Sequence, residues 1–399
     1  MRIKRIFLTS LLFFLPFVLI VLINFSINIL IKDFDYSRKS HNVYVPEVNW
    51  AKYYYAINKK KITNYFFNLT SDEKGLPRVD IYVPEKTSRA LLSAVPHSTK
   101  QYLDVEIIIN NQKTKASMRY LGDNPMNWMF YQKNIRLKLK KSKLLNQKRY
   151  FEYVSWGEAN LERYTAFKLA KKLDLLVSDV KMVELFVNDK SLGIYIERER
   201  LNESFLRRNK IMPINLYKGE AYKNSEKKIG LAFYLDQNPG LWEKISFFNV
   251  VDENDYTDLV RFFNNIKKAQ GSNSELNKIL KHKNLDLFAR ASILEVITNN
   301  AANGDYIHNR RMAIDPWSGN VHLIPHDFVY TPTVNDEKNY SIDKSFMNLF
   351  DVLHQSSKFL DYKYSLLYKL VKEDKIFDEI INDLKSIEDK YLISKKKDF

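Results

Sequence analysis

From Ile6 to Ile31 the chain carries no charged residue. As a helix these 26 residues would span about 39 Å at roughly 1.5 Å per residue, enough to cross a bilayer with some tilt. The stretch therefore reads as a transmembrane signal-anchor over residues 1–31, with Pro16 predicting a kink. A cleaved signal peptide is the competing reading. The apolar run is long, and no small-x-small cleavage motif precedes Lys32, which favours an uncleaved anchor. Arg2, Lys4 and Arg5 crowd the short flank, whereas Lys32, Arg38 and Lys39 on the other side are accompanied by Asp33 and Asp35. The positive-inside rule then predicts a cytoplasmic N-terminus and a main domain outside the cytoplasm.

With 399 residues, 45% of them hydrophobic and 14% aromatic, the chain can bury one large core or two lobes, and nothing in it indicates general disorder. It has no cysteine, which excludes disulfides, thiolate metal sites and a cysteine nucleophile but does not fix the compartment. Basic residues number 63 against 47 acidic ones, a formal net charge of +16, so the domain is expected to be drawn to anionic surfaces: lipid headgroups, wall polymers or phosphorylated substrates. Nucleic acid is not expected as a partner, because no helix-turn-helix, zinc-finger or RNA-binding aromatic signature is present. Lys395 to Lys397 read as a solvated tail.

Residues 32–75 are polar and aromatic without a clear period and read as a stalk or linker. Residues 76–200 are strand-rich. Val79 to Val83, Leu103 to Ile109, Ala116 to Tyr120 and Asn134 to Leu139 carry β-branched or alternating residues, predicting a mostly antiparallel sheet. In the last of these, Ile135, Leu137 and Leu139 point one way, leaving Arg136, Lys138 and Lys140 on the opposite face. That face could bind phosphates, or be a solvent-exposed face whose lysines guard against edge pairing. Glu158 to Leu173 predicts an amphipathic helix packed on the sheet. Val183 to Val187, a turn at Asn188 to Ser191, and Leu192 to Ile196 predict a hairpin. Beyond it, Tyr256 to Gln270, Ser274 to His282, Leu285 to Asn299 and the segment from Tyr362 onward favour helix, so residues 201–399 are expected to be mainly α.

The chemistry concentrates in Asn303-Gly-Asp-Tyr-Ile-His-Asn309 and Ile324-Pro-His-Asp327. Asp305, Asn309 and Asp327 supply an acid, an amide and a second acid, in the order a magnesium-dependent phosphotransferase uses them. Asn-Gly-Asp is equally good turn chemistry, and Pro-His-Asp an equally good strand end. Context favours the functional reading. The helix-period run from Leu285 to Ile297 delivers Asp305 from an apolar element onto a loop. Arg311 to Ile314 and Asn320 to Ile324, joined at Asp315-Pro-Trp-Ser-Gly319, then predict a hairpin that returns Asp327 towards Asp305. His322 and His326 are four apart, but Pro325 disfavours a helix between them, so they do not make a zinc-protease pair. A histidine beside the acidic pair could instead modulate its charge.

These segments resemble one family, the spore-coat CotH kinases, which are divergent and protein-kinase-like. The family shows a similar Asp-x-x-x-Asn segment followed by a Pro-Trp-Asp turn. Arg119-Tyr-Leu-Gly122-Asp, Trp128 and Lys133-Asn-Ile-Arg136-Leu-Lys138 look like its Arg-Gly segment and the Lys-Ser-x-Arg-x-Lys strand that faces the nucleotide. Asn188-Asp-x-x-x-Gly193-Ile-Tyr195, followed by Glu197 and Glu199, resembles its Asn-Gly-x-x-x-Gly-x-Tyr hairpin, with Glu199 at the acidic position that ends it.

The resemblance covers about residues 100 to 335, in the family's order. It implies an α+β, two-lobed protein-kinase-like fold after the membrane helix, with a strand-rich N-lobe over residues 76–200 and a mainly helical C-lobe over 201–399. It implies transfer of the γ-phosphate of ATP to a hydroxyl on a protein or envelope substrate. Asp305 would act as base or hydroxyl-orienting group, and Asn309 and Asp327 would hold Mg²⁺. Arg119, Lys133, Arg136, Lys138 and Glu199 would line the ATP site, with Glu162 donating a carboxylate to the phosphate-binding cations. Two positions depart from the pattern. His326 stands where the family has tryptophan, and Val329 where many members place a second acid, which removes one potential metal ligand. The competing class is a catalytically degenerate kinase-fold module whose basic face holds an anionic cell-surface polymer.

Overall fold

A computed structural model describes residues 75–93, 101–109, 111–121, 132–140, 142–155, 160–219, 239–246, 252, 254–298, 310–328, 342–343, 348–373 and 375–398. The predicted membrane span and nearly all of the predicted stalk lie outside the described residues, as do Trp128, Asp305, His308, Asn309 and Val329. Among the described residues no helix is long and apolar enough to cross a membrane.

The first half is built on seven strands. They are β1 (Arg78–Tyr82), β2 (Leu103–Ile109), β3 (Gln112–Tyr120), β4 (Ile135–Leu139), β5 (Tyr150–Val154), β6 (Val180–Val187) and β7 (Lys190–Glu199). Helix α1 (Glu85–Ser93) follows β1, and α2 (Asn160–Lys172) follows β5. The alternation read in β4 is realised: Ile135, Leu137 and Leu139 are buried, whereas Arg136 and Lys138 are on the other face. The hairpin between β6 and β7 turns through Asn188 and Asp189, whose φ angles of 49° and 62° are the left-handed pair that a two-residue turn needs.

The expected kinase-type N-lobe is corrected by the pairing of the first strand. The seven strands form a closed barrel in the order β1-β2-β3-β4-β5-β7-β6. Every neighbouring pair is antiparallel except β1 and β6, whose parallel pairing, Val79 opposite Leu185, closes the ring. The inside is packed with apolar side chains such as Ile81, Ile107, Leu137, Phe151, Val183 and Tyr195. Closure leaves no free edge, so the lysines on β4 are not edge guards.

The outer face of β6 and β7 is covered by helices. Met182, Ile194 and Ile196 pack with Tyr164 of α2 and Tyr391 of the last helix. The second half contains α3 (Glu203–Arg208), β8 (Asn215–Gly219), β9 (Trp242–Lys244), α4 (Thr257–Ala269), α5 (Asn273–Ile279) and α6 (Asn284–Thr298). It continues with β10 (Arg311–Ile314), β11 (Val321–Leu323), α7 (Asn348–Leu353), α8 (Ser357–Glu373) and α9 (Lys375–Asp398). Its strands make an antiparallel sheet ordered β11-β10-β8-β9, so the helical half carries more sheet than its periodicity predicts. The whole is α+β. The hairpin between β10 and β11 turns as read, with Asp315 accepting from the Trp317 and Ser318 amides and Gly319 at φ +71°.

Helices α6 and α8 bury two ionisable groups between them. Lys363 is fully buried and donates to the Ile342 carbonyl at 2.6 Å and to Asp343 Oδ1 at 3.1 Å. Glu295 is buried with Oε2 lacking a hydrogen-bond partner, and burial pushes its carboxyl up to about 8 although Arg310 and Lys363 pull it down. An acid whose folded pKa lies above its unfolded value of 4.5 destabilises the fold progressively as pH rises from 4.5 to about 8. Glu295→Gln is therefore expected to stabilise the protein by about 4 kcal/mol at pH 8 and to gain nothing at pH 4. Thermal melts at the two pH values check this, and equal effects at both would place the cost elsewhere.

Candidate active site

Four register partners on successive strands lay a row of charge across the outside of the barrel. Arg119 on β3 is opposite Arg136 on β4, Arg136 opposite Glu152 on β5, and Glu152 opposite Arg198 on β7. Two residues on, Lys138 is opposite Tyr150. Because each side chain occupies the face its strand turns away from the barrel interior, the row is a direct product of period-two alternation.

Glu152 is the hub. It is 1% exposed and accepts from Arg136 Nε at 2.8 Å and from Arg198 Nε at 2.9 Å. Burial alone would push its carboxyl up, but the two guanidinium groups outweigh that and bring it down to about 2. Burial likewise works against charge on Arg136, and Glu152 more than offsets it. For Arg200 the support from Glu152, Tyr102 and Tyr150 falls short. Burial and the neighbouring Arg136 both lower its pKa, and its guanidinium lies 5.0 Å from the Tyr150 ring centroid. The Tyr102 ring faces Arg119 at 5.5 Å and Lys138 at 5.2 Å.

The segment after β11 docks against this row. Arg198 Nη1 donates to the His326 carbonyl at 3.0 Å, and Arg163 on α2 donates to Asp327 Oδ1 at 2.9 Å. Phe328 packs edge-on against Phe167 of α2, with ring centroids 4.9 Å apart. Arg163 is buried enough that its pKa falls to about 10, with Asp327 supporting the charge and Arg198 opposing it. Asp327 therefore stands at the border of the basic face, its carboxylate held by Arg163 and the carbonyl before it by Arg198. Residues 129–397 match the family model described as CotH kinase protein. The chain belongs to the CotH kinase family. No curated protein matches the sequence.

Within this CotH kinase, the residues read from sequence are divided by the fold. Arg119, Arg136 and Lys138 share one face, and Asp327 is brought to its edge. Lys133 lies just before β4, where its carbonyl accepts from Tyr195 Oη at 3.2 Å. Glu199 is on the opposite side of β7 from Arg198, buried, accepting from Arg208 Nε at 3.0 Å. Glu162 is on the exposed side of α2, and its neighbour Arg163 is the residue that turns inward. The carboxylate that pairs with Arg136 comes instead from the adjacent strand, as Glu152. Asp305 and Asn309 lie outside the described residues.

Glu152, Arg163, Arg198 and Arg200 were not singled out from sequence. Tyr150-Phe-Glu-Tyr-Val154 does alternate, and a lone acid opposite the cationic face of β4 is the signal that could have found Glu152. His326 is kept neutral rather than modulating charge. Burial, followed by Arg198, Arg311, Arg136 and Lys218, holds its pKa well below the usual imidazole value. Among the described residues no three histidines, aspartates or glutamates are grouped to hold a metal.

The residues present fit a metal-bound polyphosphate on two grounds. Four cations, Arg119, Arg136, Lys138 and Arg200, lie about the carboxylate of Glu152 on this face. Arg119 Nε is buried there without a hydrogen-bond partner. Asp327 engages Arg163 through Oδ1, so its carboxylate retains a second oxygen of the hard donor type that Mg²⁺ takes.

Proposed function

We propose that this CotH kinase is a membrane-anchored, extracytoplasmic phosphotransferase that moves the γ-phosphate of ATP to a hydroxyl acceptor, with Mg²⁺. The observation that carries the reading is Asp327 held by Arg163 at the border of the basic face, with Arg198 anchoring the carbonyl of the preceding His326. Arg119, Arg136 and Lys138 would hold the phosphates as fixed cations. Their charge costs no reorganisation at the moment of reaction, because Glu152 and the barrel strands already position them. Asp327, together with Asn309, would hold the metal, which would supply charge neutralisation at the phosphates. Asp305 would orient the acceptor hydroxyl and take its proton. The apolar run from Ile6 to Ile31 supports the anchor, and the flanking charges support the orientation.

The excess of cations also suits a second reading, a degenerate module that grips an anionic polymer. Isothermal titration separates the two. The phosphotransferase is expected to bind ATP with an affinity that rises when Mg²⁺ is added. A module of the second kind would bind an anionic polysaccharide or a teichoic-acid mimic and show no metal-dependent nucleotide binding. That outcome would overturn the proposal.

A further inference from the structure

The side chains that reach Asp327 and its neighbour come from two directions, and one of them ties the carboxylate segment to the strands that carry the phosphate-binding cations. Arg198 is 6% exposed on β7 and uses its fork in a divided way. Nε is committed to Glu152 Oε2 at 2.9 Å, and Nη1 to the backbone carbonyl of His326 at 3.0 Å. Its second terminal nitrogen lies 3.5 Å from His326 Nε2. Glu152 in turn holds Arg136, so a continuous path runs from Arg136 through Glu152 and Arg198 to the residue preceding Asp327.

Every link in that path is rigid for a physical reason. Arg136, Glu152 and Arg198 sit on paired strands of a closed barrel, which does not shear at an edge. The guanidinium is planar, so fixing Nε on one acceptor fixes the direction in which Nη1 points. His326 precedes Asp327 in a segment without regular backbone hydrogen bonding, so the bonds from Arg198 and Arg163 restrain that segment from either side.

We propose that Arg198 is a positioning residue: braced by Glu152, it sets the direction of the Asp327 carboxylate relative to the phosphate-binding row. The inference rests on the reading of Asp327 as a metal-holding residue. It predicts that metal affinity depends on a side chain that touches neither the metal nor the reacting atoms. Outer partners of metal ligands commonly carry such weight.

Arg198→Lys is the decisive variant, because it keeps the charge and loses the fork. Two titrations are run on the folded protein. One uses inorganic tripolyphosphate in EDTA and reads the basic face alone. The other uses Mg²⁺ in the presence of a non-hydrolysable ATP analogue and reads the metal site. Arg198→Lys is expected to leave tripolyphosphate affinity within about twofold of the parent and to weaken Mg²⁺ binding about tenfold. In an Asp327→Asn background the same lysine substitution should produce no further loss of Mg²⁺ affinity, a result that a merely structural role for Arg198 would not give.

Equal Mg²⁺ affinity in the parent and Arg198→Lys overturns the inference. If the parent itself shows no Mg²⁺-dependent binding that Asp327→Asn removes, the reading of the site fails instead, and the two failures are distinct. Should Arg198→Lys not fold, Glu152→Gln carries the test, since removing the brace should also weaken Mg²⁺ binding, and unchanged affinity in that variant counts against the inference equally.

Discussion

Asp327→Asn is expected to lower phosphotransfer by about 10³-fold while leaving the fold intact, because a carboxylate that holds a divalent cation cannot be replaced by a neutral amide of the same shape. Asparagine is the informative substitution. Asp327 accepts from Arg163, a guanidinium only 10% exposed, and the amide oxygen of asparagine can still accept that bond. Alanine would take that acceptor away from a largely buried guanidinium and mix a folding defect with a chemical one. Transfer is measured with γ-labelled ATP and a membrane extract as the source of acceptor, beside a thermal melt of each variant. Asp305→Ala is expected to show the same loss of transfer. Transfer by both variants within tenfold of the parent would remove the enzymatic reading.

The second large effect is on stability. Glu152→Ala is expected to cost about 3 to 5 kcal/mol, since Arg136 and Arg198, on the two strands that flank β5, would then be largely shielded from water with their shared anion gone. For a chain of this size the melting temperature should fall by about 10 °C. The pH dependence has a definite sign. The Glu152 carboxyl is held at about 2, below its ordinary 4.5, so its contribution is present above pH 4.5 and is lost as pH falls towards 2. That shift corresponds to about 3 kcal/mol. Acid melts of the parent should therefore show a loss of stability in this window that Glu152→Ala lacks. A variant that melts like the parent at neutral pH would show that the two arginines do not need the carboxylate.

Much of the local architecture was legible in the residues. β4 announces itself through Ile135, Leu137 and Leu139 alternating with cations, and the turn between β6 and β7 through Asn188-Asp189. Helix α4 runs from Thr257 to Ala269 within the expected Tyr256 to Gln270, and α6 from Asn284 to Thr298 against the expected Leu285 to Asn299. β5 is not among the strands read from sequence, although Tyr150, Phe151, Tyr153 and Val154 all favour a strand. Its glutamate is buried only because two arginines from neighbouring strands meet it, which no local window contains.

The helix carboxylate expected at Glu162 shows the same limit from the other side. Period 3.6 says which residues share a face of α2, but not which face meets the basic row, and the fold turns Arg163 inward. An acid expected to neutralise phosphate-binding cations is thus replaced, at the next position, by a cation that holds Asp327.

By itself the sequence determined the apolar N-terminal run, the alternation that puts Arg136 and Lys138 on one face, the Asn188-Asp189 turn, and membership of the CotH kinase family. These are properties of neighbours in the chain or of motif order, where period and turn chemistry act directly. Tertiary structure alone decided that the sheet closes through β1 and β6, that Glu152 is the shared anion of Arg136 and Arg198, and that Arg163 holds Asp327 while Arg198 holds the carbonyl of His326. Each of these joins segments far apart in the chain, and an ion pair or a parallel strand pairing leaves no periodic trace in either segment until burial brings the two together.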